Sequence, residues 1–181
     1  MGAALKAELS NAAWLLACRA DLDGDERGDL VRRSLDNELD EARDRVLLLL
    51  SFRYARQTVL SARTVLRYGS HDQRAQALEA VDNLLPRRLR EAVVPLFEDL
   101  SLPDRLERMA RVFPQETTGA GERLAQMIEA PTGGLSSWSR ACAVYAGVGR
   151  GSRLASAIRG AVQTQDPLVR ETALGVIEPA G

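Results

Sequence analysis

The apolar residues Leu35, Leu39, Ala42, Val46 and Leu49 recur at steps of four, three, four and three. This constrains the chain more than any other feature, because an α-helix brings all five onto one face. Asp36, Asp40, Arg43 and Asp44 fill the other faces, and Glu41 precedes Arg45 by one turn, in the orientation that supports a helix. No segment alternates with period two through β-branched residues, so no strand is predicted. The same reading predicts helices over 3–19, 27–52, 56–68, 72–84, 88–99, 103–112, 120–130, 138–147, 152–164 and 167–178. Their breaks have local causes in Gly69-Ser70, Pro86, Leu102-Pro103 and Phe113-Pro114, and in the connectors TTGAG and PTGGLSS. Short helices joined this closely are expected to form antiparallel pairs.

Three segments share a signature: Arg74-x-x-Ala77-Leu78, Arg140-x-x-Ala143-Val144 and Arg170-x-x-Ala173-Leu174. Each opens the second helix of a pair. Their spacing matches two units and then one unit of a helical repeat of roughly 30–45 residues. The small Ala lets a neighbouring helix approach, the following Leu or Val fills the seam, and the Arg can span the interhelical corner. In the last unit Asp166 stands at an N-cap position and Pro167 at the first helical position. The "DPLVRETAL" corner and the paired helices resemble HEAT repeats, most clearly over 135–178 and in degenerate form over 56–99, with 100–134 irregular. The resemblance implies an all-α fold, an alpha-alpha superhelix of antiparallel helix pairs in a right-handed stack, with residues 1–52 as a longer-helix front layer of a single domain.

"LDNELDEARDRVLLLLSF" and "QRAQALEAVDNLLPRRLREAVVPLFEDL" also look like the helical-repeat region of bacterial multidomain proteins that carry translocase-like membrane segments and a cyclic-nucleotide-binding domain. No membrane or nucleotide-binding segment is present in this sequence. That second resemblance therefore implies an excised regulatory or scaffolding piece of a larger transporter or signalling protein.

Length and composition narrow the function classes. The chain has 181 residues, enough for one domain or a short repeat array, and 45% of them are hydrophobic, so a folded core is expected. The net charge of -1 gives no global attraction to nucleic acid. Lys6 is the only lysine, and every other basic residue but His71 is an arginine, the type that forms bidentate pairs with carboxylates. Cys18 and Cys142 are far apart in apolar helical patterns, which reads as buried thiols in a reducing, cytoplasmic setting. The longest aliphatic run, Val46–Leu50, is too short to span a bilayer, so no direct membrane insertion is expected.

Each stretch with apparent chemistry has a plainer reading. "DLDGDERGDLVRR" (21–33) looks like a calcium loop, but Glu26 stands where the turn needs glycine and Arg32 where a bidentate glutamate should close the cage. A helix start capped by Asp25 or Asp29 is expected instead. His71, the only histidine, lies between Ser70 and Asp72 in a corner where neighbours in sequence do not converge as a triad. "GVGRGSR" (147–153) lacks the Lys and the preceding strand of a phosphate loop and reads as a turn. Trp138, Cys142 and Tyr145 share one helical face, expected to be core packing between units. No catalytic, metal or cofactor site is implied.

The expected function is a non-catalytic protein-interaction or regulatory scaffold, because repeat stacks build extended binding surfaces. The partner would be a protein or a neighbouring domain of a larger chain. Arg87, Arg88, Arg90, Arg150 and Arg153 are the candidate partner-binding residues. The alternative is nucleic-acid binding, which requires Arg87, Arg88, Arg90, Arg150, Arg153 and Arg159 to line one face. A hydrolase using converging carboxylates is the third class left open.

Overall fold

The computed structural model describes residues 2–131 and 134–177. Among the described residues the chain is all-helical, with no strand. The order is α1 (Ala3–Asp21), a 3-10 turn (Glu26–Gly28), α2 (Asp29–Ser51), α3 (Arg56–Tyr68), α4 (His71–Leu84), α5 (Arg87–Val93), a second 3-10 turn (Val94–Leu96), α6 (Leu102–Ala110), α7 (Ala120–Glu129), α8 (Ser137–Gly147), α9 (Ser152–Ala161) and α10 (Pro167–Ile177). Every helix expected from the sequence is present. Two residues of the PTGGLSS connector, 132 and 133, and the last residue of the helix expected over 167–178 lie outside the described residues. The largest departure is the helix expected over 88–99. It ends at Val93 and tightens into the 3-10 turn, because Pro95 has no N–H to continue the helical ladder.

Contacts divide the chain into two compact units, Met1–Ala17 with Leu39–Gln115, and Cys18–Glu38 with Glu116–Gly181. Helices α1 and α2 thus contribute residues to both. No helix among the described residues is long and apolar enough to cross a membrane.

In the first unit, α3 packs along α4. Ser70 starts α4 with a capping box, its hydroxyl accepting from the Gln73 N–H while the Gln73 Oε1 accepts from the Ser70 N–H at 2.9 Å. Gly69 closes the corner before it. Its N–H donates to the Val65 carbonyl at 2.7 Å, and an added Cβ would lie 2.6 Å from that oxygen. Arginines tie the remaining elements. The Arg45 Nε donates to Glu8 Oε1 at 2.9 Å, joining α2 to α1, and Arg63 grips Asp44 with two nitrogens, joining α3 to α2. The Arg43 Nε reaches the Leu96 carbonyl at 2.8 Å. Leu39, Ala42 and Val46 of the predicted stripe are buried, with Leu49 at its edge.

In the second unit, α7 packs on α8 and on α9, and α8 packs on α10. Helices α8 and α10 run side by side in the same direction. At their starts the Ser137 hydroxyl donates to Asp166 Oδ2 at 2.6 Å, and at their ends Tyr145, Ala146, Gly175 and Val176 line one shallow recess. The Asp166 Oδ1 accepts from the Val169 N–H at 3.3 Å, with Pro167 first in the helix, as the "DPL" corner predicts. The α8–α9 turn needs glycine twice, at Gly149 (φ 73°) and Gly151 (φ 98°). Gly147 lets α9 approach, since a Cβ there would lie 3.1 Å from Leu154 Cδ2.

Candidate functional site

The loop that resembles a calcium site is filled by arginines. Arg32, at the position that should close the cage, donates Nη1 to the carbonyls of Leu22, at 3.0 Å, and of Asp25. A guanidinium therefore sits where the backbone oxygens converge. Asp25 caps the 3-10 turn by accepting from the Arg27 N–H at 3.2 Å, and both its carboxylate oxygens accept from Arg150. Those hydrogen bonds hold the Asp25 carboxyl below the ordinary carboxylate range. The Asp21 side chain is buried, its Oδ2 accepting from Arg123 Nε at 2.8 Å and from the Thr118 N–H and hydroxyl at 3.2 and 3.1 Å. Asp23 faces solvent and pairs with Arg19 at 3.3 Å. Gly24 takes φ 74°, which turns the chain two positions earlier than a calcium loop would. Among the described residues no group of three His, Cys, Asp or Glu side chains is arranged to hold a metal ion.

The repeat signature takes three different forms. Arg140 is buried, donating Nε and Nη2 to the Ile128 carbonyl at 3.3 and 3.1 Å, with Asp166 at 3.7 Å from Nη1. It thereby bridges the end of α7, the start of α8 and the cap of α10. Ala143 and Val144 are fully buried. In the last copy Ala173 is fully buried and Leu174 half-buried, but Arg170 pairs, among the described residues, with its neighbour Glu171, at 3.4 Å. In the first copy Ala77 and Leu78 are half-buried, and Arg74 is exposed and makes no ion pair among the described residues.

The arginines proposed to meet a partner fall in different units. Arg87, Arg88 and Arg90 belong to the first; Arg150, Arg153 and Arg159 belong to the second. Most are held internally. Arg87 pairs with Glu91 at 3.2 Å, Arg90 with Asp82 at 2.8 Å, and Arg153 with both Glu122 and Glu129, at 3.0 and 2.6 Å. Arg150 is the half-buried clamp on Asp25. Arg88 and Arg159 are exposed.

The remaining reactive residue types are structurally placed. His71 is exposed, 3.6 Å from Asp72 and 3.9 Å from Asp99, while the Ser70 hydroxyl serves as the helix cap. Burial pushes the Cys18 thiol up to about 12 and raises that of Cys142, which keeps both sulfurs protonated.

The predicted core face of α8 is corrected by the structure. Cys142 is buried, but Trp138 is 53% exposed and Tyr145 66% exposed. Ser139 to Val144, Ala146 and Gly147 are all buried. The small residues of α8 occupy its packed sides, and the two aromatics are left on the remaining narrow stripe. Leu168, at the start of the adjacent α10, is also exposed. The Tyr145 end of the stripe opens on the recess shared with Val148, Gly175, Val176 and Arg27. This surface on α8 and α10 exposes Trp138, Tyr145 and Leu168 and is the candidate functional site. No family model, curated protein or solved structure matches the chain.

Proposed function

We propose that the chain is a non-catalytic interaction or regulatory module built of HEAT-like repeats. It engages a protein partner, or a neighbouring domain of a larger chain, through α8 and α10. The observation that carries this reading is the exposure of Trp138, Tyr145 and Leu168 on two second helices lying side by side. Tyr and Trp dominate binding energy at protein interfaces, because each buries a large rigid surface at low entropic cost. The parallel course of α8 and α10, and the Arg140 bridge between them, support the reading of consecutive helix pairs in an alpha-alpha superhelix. Two buried thiols fit a reducing, cytoplasmic setting.

Nucleic-acid binding is the reading this one displaces. Arg87, Arg90, Arg150 and Arg153 are each paired with a carboxylate of the chain. A generic DNA duplex titrated with the protein, followed by fluorescence anisotropy at low and moderate salt, should show no binding up to roughly tens of micromolar protein. Micromolar binding with a steep salt dependence, lost in the variant Arg87→Ala, Arg88→Ala, Arg90→Ala, would overturn the protein-binding reading in favour of a phosphate-backbone surface.

A further inference from the structure

The first unit contains a cavity of about 260 Å³ whose wall carries five arginines, Arg43, Arg63, Arg67, Arg74 and Arg105. They come from four helices: α2, α3, α4 and α6. Two are committed, Arg43 to Asp40 at 2.7 Å and Arg63 to Asp44. The other carboxylates at the wall are Glu98 and Asp99. Glu98 is taken by Arg108 at 2.6 Å, and Asp99 faces solvent beside His71. Arg67, Arg74 and Arg105 make no ion pair among the described residues.

Arg105 is the most informative of the three. Its Nε donates to the Pro95 carbonyl at 3.1 Å and its Nη2 to the Glu98 carbonyl at 2.8 Å, which fixes the guanidinium plane and leaves Nη1 without an acceptor among the described residues. Burial, and then the charge of Arg43, lower its pKa. Asp99 and Glu98 offset part of this without pairing with it, and a half-buried cation hydrogen-bonded to neutral carbonyls, beside a second cation, is an arrangement that an incoming anion stabilises. Arg67 and Arg74 are exposed at the same wall, the Arg67 guanidinium 5.5 Å from the Tyr68 ring centroid, and neither is fixed by an ion pair among the described residues. Leu47, Leu66, Leu96 and Phe97 supply an apolar floor.

We propose that this cavity binds a small organic phosphate. Arg67, Arg74 and Arg105 receive the dianionic head, and the body of the ligand lies on Leu66 and Phe97. Three guanidinium groups that make no ion pair among the described residues exceed what a single carboxylate ligand requires, and their forked donors match the three oxygens of a phosphomonoester. The site is separate from the aromatic surface of the second unit, so the two readings stand or fall independently.

Calorimetric titration of the full chain with phenyl phosphate, inorganic phosphate and benzoate tests it. Phenyl phosphate should bind saturably, tighter than inorganic phosphate, which lacks the apolar body, and at least about tenfold tighter than benzoate. Arg67→Gln with Arg74→Gln, both at exposed positions, should leave thermal unfolding unchanged and weaken phenyl phosphate at least about tenfold. Arg105→Gln should abolish binding, and if that variant does not fold, the exposed double variant alone decides. No saturable binding of phenyl phosphate up to roughly 10 mM overturns the proposal. So does equal affinity for benzoate, or binding that survives in the double variant.

Discussion

Arg123→Met is expected to destabilise the chain by about 3–5 kcal/mol, because it leaves a buried carboxylate without its cation. The side chains of Arg123 and Asp21 are only 4% and 5% exposed. Arg123 also donates to the Glu116 carbonyl at 2.7 Å and to Gln126 at 2.9 Å, so the substitution removes the donor to three acceptors at once. The Thr118 donors remain, but they carry no charge. For a chain of this size the loss corresponds to a fall in melting temperature of about 6–20 °C. Adding Asp21→Leu to Arg123→Met should restore most of the stability, since a buried ion pair replaced as a whole by apolar groups is close to neutral. An Arg123→Met protein that melts with the parent would mean that Asp21 is solvated.

Ala173→Leu is expected to cost about 1–3 kcal/mol by overpacking the seam where α10 lies along α8. Ala173 is fully buried, as is Ala143 in the preceding copy of the signature. The same change at Ala77, half-buried on α4, should stay within about 0.5 kcal/mol. Denaturant midpoints of the two variants check the contrast. Equal losses at Ala77 and Ala173 would show that the three copies pack alike, contrary to their burial.

What the sequence made legible is what local chemistry decides. Asp166 and Pro167 mark a helix start by hydrogen-bonding or fixing backbone within three residues, and both do so in the structure. Pro95 acts just as locally and breaks the helix expected over 88–99. Glu26 and Arg32 stand against a calcium loop in the sequence itself, but the partners of the loop's carboxylates could not be read there. Asp21 meets Arg123 across 102 residues, and Asp25 meets Arg150 across 125. A single sequence carries no local signal for such pairings, beyond an arginine-rich composition. The aromatic stripe was hidden for a different reason. Helix α8, "SWSRACAVYAG", is apolar or small on nearly every side, so its periodicity does not say which face is turned outward. The arginine cavity draws on α2, α3, α4 and α6, and only Arg74 of its wall stood out beforehand, as part of the repeat signature.

Site-specific photo-crosslinking in the cells that make the protein measures partner binding where it is proposed to occur. A benzophenone amino acid replaces Tyr145 on the α8 stripe or, as a control, the exposed Gln163 after α9. Protein binding through α8 and α10 predicts a discrete adduct of this chain with a second polypeptide from position 145, none from position 163, and loss of the adduct when Trp138→Asp is added. Identical patterns from the two positions, or an adduct at 145 that ignores Trp138→Asp, would contradict it.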